Sequence, residues 1–232
     1  EYDLDGNLLL TTGERNKKGE FKYDNLKGFE YVDVEYNRYE WIRKDAKKKE
    51  IKVKVGTKIC RFAQYPDNKK SIMPSTLQGL LAARKATRKL IPQQSDDFMK
   101  NILDKRQLSY KVTANSLYGQ CGAKTSTFFE KDVAASTTAT GRTLLTYAKG
   151  VIETAYGGGR VCETKIGKVK TYAEYIYGDT DSVFFTFNLK TMDGEKIRGK
   201  DALAATIELA IDAGELATKF LKKPHDLEYE KT

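Results

Sequence analysis

The sequence predicts an α+β fold: an antiparallel sheet with helices packed on one face, and a two-helix hairpin protruding from it. Three observations carry that prediction. Tyr31-Val32-Asp33-Val34-Glu35-Tyr36 alternates apolar and charged residues, the period of a half-buried strand. Two basic segments with helical patterning follow one another between Met73 and Gly122, split by Ile91-Pro92. Two aromatic and β-branched runs, Tyr172–Tyr177 and Val183–Phe187, flank the acidic Asp179-Thr180-Asp181, which reads as a β-hairpin.

In chain order, residues 1–56 read as irregular strands and loops, with turn signals at Asp5-Gly6-Asn7 and Lys18-Gly19. Lys52-Val53-Lys54-Val55 alternates again, and a short separate strand is expected over Lys58–Phe62. Met73-Pro74-Ser75-Thr76 starts a helix, because proline and hydroxyl residues suit a first turn. Leu77, Leu80, Leu81 and Ala83 carry it to Leu90. Ser95-Asp96-Asp97 caps a second helix ending at Tyr118, with Gly119 and Gly122 as breakers. A third helix is expected from Asp132 to Ala155, closed by Gly157-Gly158-Gly159. Asp201–Leu221 forms a last amphipathic helix, and Leu227–Glu230 begins a strand.

The 232 residues suffice for one large or two small domains. Lys and Arg outnumber Asp and Glu by 41 to 32, a net charge of +9, which favours polyanionic partners such as nucleic acid. Cys60, Cys121 and Cys162 are odd in number and far apart. That spacing gives no zinc site and points to buried free thiols in a reducing, intracellular setting. No run of about 18 apolar residues exists, so no membrane span is expected. The N-terminus carries neither a secretory pattern nor an initiator Met, and the chain is expected to start inside a longer protein.

Asp179 and Asp181 sit at a hairpin tip between strands whose side chains favour burial. Adjacent carboxylates repel, and partial burial raises the cost of ionising both. A divalent cation removes that penalty, and Mg²⁺ takes such hard oxygen ligands. An ordinary exposed turn is the plainer reading of an Asp-Thr-Asp string. Lys111, Asn115 and Tyr118 are spaced i, i+4 and i+7, so one helix face presents a cation, an amide and a ring in a row. Gln107 extends that stripe by a turn. The set suits a nucleoside triphosphate, although a solvated Lys beside a core Tyr has the same spacing. Arg84 and Arg88 stand i, i+4 on the preceding helix.

Two strings tip these readings. Tyr177-Gly178-Asp179-Thr180-Asp181-Ser182 resembles the metal-binding motif of B-family DNA polymerases, and Lys111–Gly119 resembles that family's K-x-x-x-N-S-x-Y-G motif. They occur in the family's order, with Leu80–Lys85 similar to its first fingers helix, and the resemblance covers residues 58–187. Cys60–Gln64 and Ala135–Thr138 resemble polymerases of large nucleocytoplasmic DNA viruses.

The resemblance implies a palm and fingers architecture. Residues 1–72 would be a palm portion or insert, 73–122 the fingers hairpin, and 123–232 palm. It implies Asp181 as the principal catalytic and metal-binding carboxylate, with Asp179 less direct. It implies nucleotide binding by Arg84, Arg88, Lys111, Asn115, Tyr118 and Gly119. The family commonly has Lys where Arg88 stands, and Arg offers a planar fork instead of a point donor. Leu227–Lys231 resembles an L-E-F-E-K segment, which assigns Glu230 near the metals, and Arg106 is expected to be structural. The implied cofactor is Mg²⁺ at a two-metal site. The implied partners are primer–template DNA, deoxynucleoside triphosphates and, through the parent, a sliding clamp or processivity factor, at the nucleus or a viral replication site.

The family's D-x-x-S-L-Y-P-S motif, its K-K-R-Y signature and the acidic exonuclease motifs are absent from the sequence. The expectation is a piece lying between the first and last of these, with half a metal site and little or no activity alone. The competing readings are a non-catalytic DNA-binding or scaffold module derived from a polymerase, and another palm enzyme such as a reverse transcriptase.

Overall fold

The computed structural model describes residues 1–43, 49–179 and 181–232. Among them the chain is mixed α/β, with four α-helices and three two-stranded antiparallel ladders. It divides into two compact units, Glu1–Ala139 and Thr140–Thr232.

In the first unit, β1 (Glu30–Ile42) pairs with β2 (Ile51–Gln64). The two short strands expected over Lys52–Val55 and Lys58–Phe62 are one strand, with a register irregularity opposite Arg38/Tyr39. A bulge absorbs the extra residue without ending the ladder, which local alternation could not reveal. The N-terminal segment adds to β2 through reciprocal Tyr2–Thr57 backbone bonds of 2.8 and 3.1 Å. A Cβ at Gly56 would collide with the Tyr2 carbonyl, so this approach requires glycine.

Helix α1 (Ile72–Leu90) starts slightly earlier than expected, with Pro74 in its first turn, where a missing N–H costs nothing. Ile91–Gln93 tightens into a 3₁₀ turn, and Asp96 caps α2 (Asp97–Gly122) by accepting from Phe98 N at 3.0 Å. Contrary to expectation, α2 continues through Gly119 to Gly122. Each glycine costs only about 1 kcal/mol in a helix interior, too little to end a 26-residue helix. Helices α1 and α2 pack as a hairpin, burying Thr87, Leu103 and Ala114. Helix α3 (Lys131–Tyr156) has its first residues in this unit.

In the second unit, β3 (Arg160–Thr164) and β4 (Gly167–Thr171) form a hairpin that the sequence patterning did not reveal. Then β5 (Glu174–Asp179) pairs with β6 (Ser182–Thr186), with Asp179 opposite Ser182. The single sheet expected is thus three separate ladders, because each hairpin pairs locally and only isolated bridges such as Lys170–Lys190 extend them. Helix α4 (Gly199–Phe220) buries Ala205, Leu209, Ala213 and Ala217 at spacing four. The three alanines let α4 approach Ile152, Tyr156, Val169, Phe187 and Leu189, the core of this unit, and Leu209 packs among them. Leu227–Glu230 is not in a strand, because it docks on α4 instead of a ladder. Cys60 and Cys121 are buried free thiols, and Cys162 is half-buried. No described helix is long and apolar enough to cross a membrane.

Candidate active site

The helical stripe lies in the first unit. Lys111, Asn115, Tyr118 and Gly119 are exposed along α2, while Leu103, Ala114 and Cys121 of the same helix are buried. At about 100° per residue the exposed row runs alongside the buried line, with Tyr118 only about 40° from Ala114. A Cβ on Gly119 would meet nothing within 4 Å. Tyr118 is anchored at its far end: its hydroxyl lies 3.3 Å from the Ala134 carbonyl and 3.0 Å from Thr138 Oγ1, both on α3.

Gln107 does not extend the exposed stripe as spacing suggested. It is half-buried between the helices, where it accepts from Arg84 Nε at 3.2 Å and donates to Asp104 at 3.0 Å. The half-buried Arg84 is thereby held beside α2, and Arg88, one turn on, is exposed. Arg106 donates to the Tyr110 hydroxyl at 3.1 Å, a contact within α2.

The acidic turn lies in the second unit. Thr180 is outside the described residues. Asp181 N donates to the Asp179 carbonyl at 2.5 Å, and Ser182 Oγ lies 3.4 Å from Asp181 Oδ1. Both aspartates are exposed, which corrects the argument from partial burial. Ile176, Tyr177 and Phe184 are exposed too, because a two-stranded hairpin has one face packed, here through Phe185 on the core.

Asp181 and Glu230 line one cavity of about 550 Å³ with Asp226 and Glu228. Two residues missed in the sequence build that wall. Thr218 Oγ1 accepts from Leu227 N at 2.8 Å and donates to the Leu227 carbonyl at 3.3 Å. At Gly214 a Cβ would lie 2.7 Å from that carbonyl oxygen. Small and hydroxyl residues four apart on α4 were the available signal, but nothing local says which segment they receive. The oxygen donors suit a hard divalent cation. Among the described residues, however, no three acidic, His or Cys side chains are grouped closely enough to hold an ion by themselves.

The sequence profile described as DNA polymerase family B matches residues 28–232. A DNA polymerase of Phaeocystis pouchetii virus is 61% identical over 224 residues, covering 97% of this chain and 21% of that protein. One from Pyramimonas orientalis virus is 40% identical over 255 aligned residues, 91% of this chain and 19% of that protein. The DNA polymerase delta catalytic subunit of Drosophila melanogaster is 34% identical over 163 residues, 70% of this chain and 13% of that protein. The chain belongs to DNA polymerase family B. It spans about a fifth of the length of the two viral relatives.

Proposed function

We propose that the chain is the fingers and part of the palm of a template-directed DNA polymerase, which adds deoxynucleotides to a primer 3′-hydroxyl. Residues 73–122 would be the fingers, 123–232 palm, and 1–72 a palm portion or insert. One observation carries the reading: in a family B chain, Asp181 at an exposed hairpin connection lines the same cavity as Glu230.

Lys111, Arg84 and Arg88 would bind the triphosphate of the incoming nucleotide. The bond from Arg84 to Gln107 uses Nε, which leaves its two terminal amino groups for phosphate oxygens. Asn115 and Tyr118 would border the nascent base pair, with Gly119 giving it room. The anchored hydroxyl of Tyr118 favours a fixed ring over a mobile one.

Asp181, Asp179 and Glu230 would hold part of a Mg²⁺ site, completed by a carboxylate outside these 232 residues. A divalent metal held there would supply the positive charge that favours ionisation of the 3′-hydroxyl and departure of the pyrophosphate. The side chains of this chain position and neutralise phosphate oxygens, which is most of what phosphoryl transfer asks of a protein. Primer–template DNA and a sliding clamp or processivity factor would be partners of the whole enzyme. The 232 residues alone would have little or no activity.

Primer extension by the full-length parent tests the reading. Asp181→Ala is expected to reduce nucleotide addition by at least ~10²-fold. Full extension by that variant would overturn the reading. Salt-sensitive DNA binding without turnover in the unmodified parent would favour the non-catalytic module instead.

A further inference from the structure

The β1–β2 hairpin has two unlike faces. One carries Tyr36 paired with Lys58, whose hydroxyl and amine both reach Asp132 at the start of α3. The other, beyond the register irregularity, carries Tyr39 paired with Lys54 and Trp41 paired with Lys52. Cross-strand partners project to the same side, and residues two apart share it. The four side chains therefore form one patch.

The patch is open to solvent. Trp41 is 66% and Tyr39 44% exposed, and both lysines are exposed. Lys52 Nζ lies 4.6 Å from the Tyr39 ring centroid. The adjacent Glu50 is paired with Arg43 at 3.1 Å, and Glu40 lies on the opposite face with Arg38 4.0 Å away. What the patch presents is two rings and two cations for which no ion pair is found among the described residues.

That combination selects among ligands. An apolar protein groove would leave two lysines desolvated, at a cost. An acidic peptide would use the lysines and leave two flat rings idle. Duplex DNA keeps its bases stacked inside. An unpaired strand offers both a π-face for each ring and a phosphate for each cation, and stacking of a base on an aromatic ring is worth about 1–3 kcal/mol.

We propose that the Tyr39–Trp41–Lys52–Lys54 patch binds single-stranded nucleic acid, with bases stacked on the two rings and phosphates at the two lysines. That the strand is DNA rests on the polymerase reading above; the patch itself does not.

Trp41 is the one tryptophan of the chain, so intrinsic fluorescence reports from the patch. The 232-residue chain is titrated with an oligo(dT) of about 12 nucleotides, a length within the usual range of single-strand sites. Emission is expected to be quenched by the single strand and not by a duplex of equal length. Trp41→Ala is expected to weaken binding at least about fivefold, while Trp41→Phe stays within about threefold because the ring is kept. Lys52→Ala with Lys54→Ala is expected to flatten the log–log salt slope by about 1.4.

Unquenched emission while the strand binds, or unchanged affinity of Trp41→Ala, overturns the proposal. Equal quenching and competition by polyglutamate also overturns it, in favour of an acidic protein partner. Should circular dichroism show Trp41→Ala misfolded, Tyr39→Leu and the double lysine variant decide by the same affinities and slope. Asp181→Ala separates the two readings. Retained quenching by that chain with full extension by the parent variant defeats the catalytic reading alone. Absent quenching by the unmodified chain, while the unmodified parent extends primers and its Asp181→Ala variant does not, defeats this one alone.

Discussion

The Tyr118 hydroxyl on α2 stands 3.0 Å from Thr138 Oγ1 on α3, with the Ala134 carbonyl 3.3 Å away. Thr138 makes its own bond to the same carbonyl at 3.1 Å, so the three oxygens form a small closed set. An otherwise exposed ring is thereby fixed at both ends, by its helix and by its hydroxyl. Tyr118→Phe removes the tether and keeps the ring. The expected loss is about 1 kcal/mol, a fall in Tm of roughly 2–4 °C for a chain of this size. In a double-mutant cycle with Thr138→Val the two losses should be non-additive, and strict additivity by thermal melting would show that the pair does not interact.

Asp132 joins the start of α3 to the β1–β2 hairpin, accepting from Lys58 Nζ at 2.6 Å and Tyr36 OH at 2.8 Å. Burial pushes its carboxyl up, but the Lys58 and Tyr36 hydrogen bonds outweigh burial, and the net shift is downward. Burial pushes the Lys58 amine down, but the bond to Asp132 and its charge outweigh that, and the net shift is upward. The depressed carboxyl contributes stability that is complete above about pH 4 and is lost as pH falls through its folded value. The raised amine contributes stability that is complete below about pH 10 and is lost as pH rises through its folded value. Asp132→Asn should lower the plateau by about 2 kcal/mol, between the values for exposed and buried pairs, and flatten both flanks. Urea denaturation across pH measures this, and parallel curves for the two proteins would refute the assignment.

The wall that carries Glu230 is held by Thr218 and admitted by Gly214. Gly214→Ala would press a methyl onto the Leu227 carbonyl, a backbone atom that cannot turn aside, at a cost of about 1–3 kcal/mol. Thr218→Val removes both bonds to Leu227, leaving the backbone of a partly buried segment unsatisfied. Both variants should accelerate proteolytic cleavage within residues 222–232. Cleavage at the unmodified rate would mean that the segment is held by something else.

The proposed phosphate-binding role of Lys111 separates from that of Asp181 in steady-state kinetics of the full-length parent. Lys111→Ala should raise KM for the incoming nucleotide by at least about tenfold, the value of a charge-assisted bond. Lys111→Arg should recover part of it, because the charge is kept and the geometry changes. An effect confined to DNA affinity would place Lys111 on the nucleic-acid strand instead.

Much of the chain was legible because the relevant forces act between near neighbours. The stop at Ile91-Pro92, the cap at Asp96, the closing glycines after α3 and the hairpin around the acidic turn each depend on a few adjacent residues. That Lys111, Asn115 and Tyr118 share one helix face also followed from helical spacing, and the family followed from the strings around Lys111 and Asp181. Three readings failed where the deciding partner lay far along the chain. Gln107 was placed on the exposed row until Arg84, 23 residues earlier, claimed it. Leu227–Glu230 has strand-like patterning but is held by Thr218 on a helix. The strands of Lys52–Val55 and Lys58–Phe62 merged because β1 runs alongside both.

The metal-binding motif shows the same division. The sequence by itself determined that Asp179 and Asp181 sit at a hairpin tip, because strand propensity on both sides of a tight acidic turn suffices for that. Only the tertiary structure decided that both are exposed, that Glu230 shares a cavity with Asp181, and that Tyr118 is tethered to α3. Those outcomes depend on which distant surfaces pack together, and packing is set by shape and hydrogen-bond complementarity across the fold rather than by any local pattern.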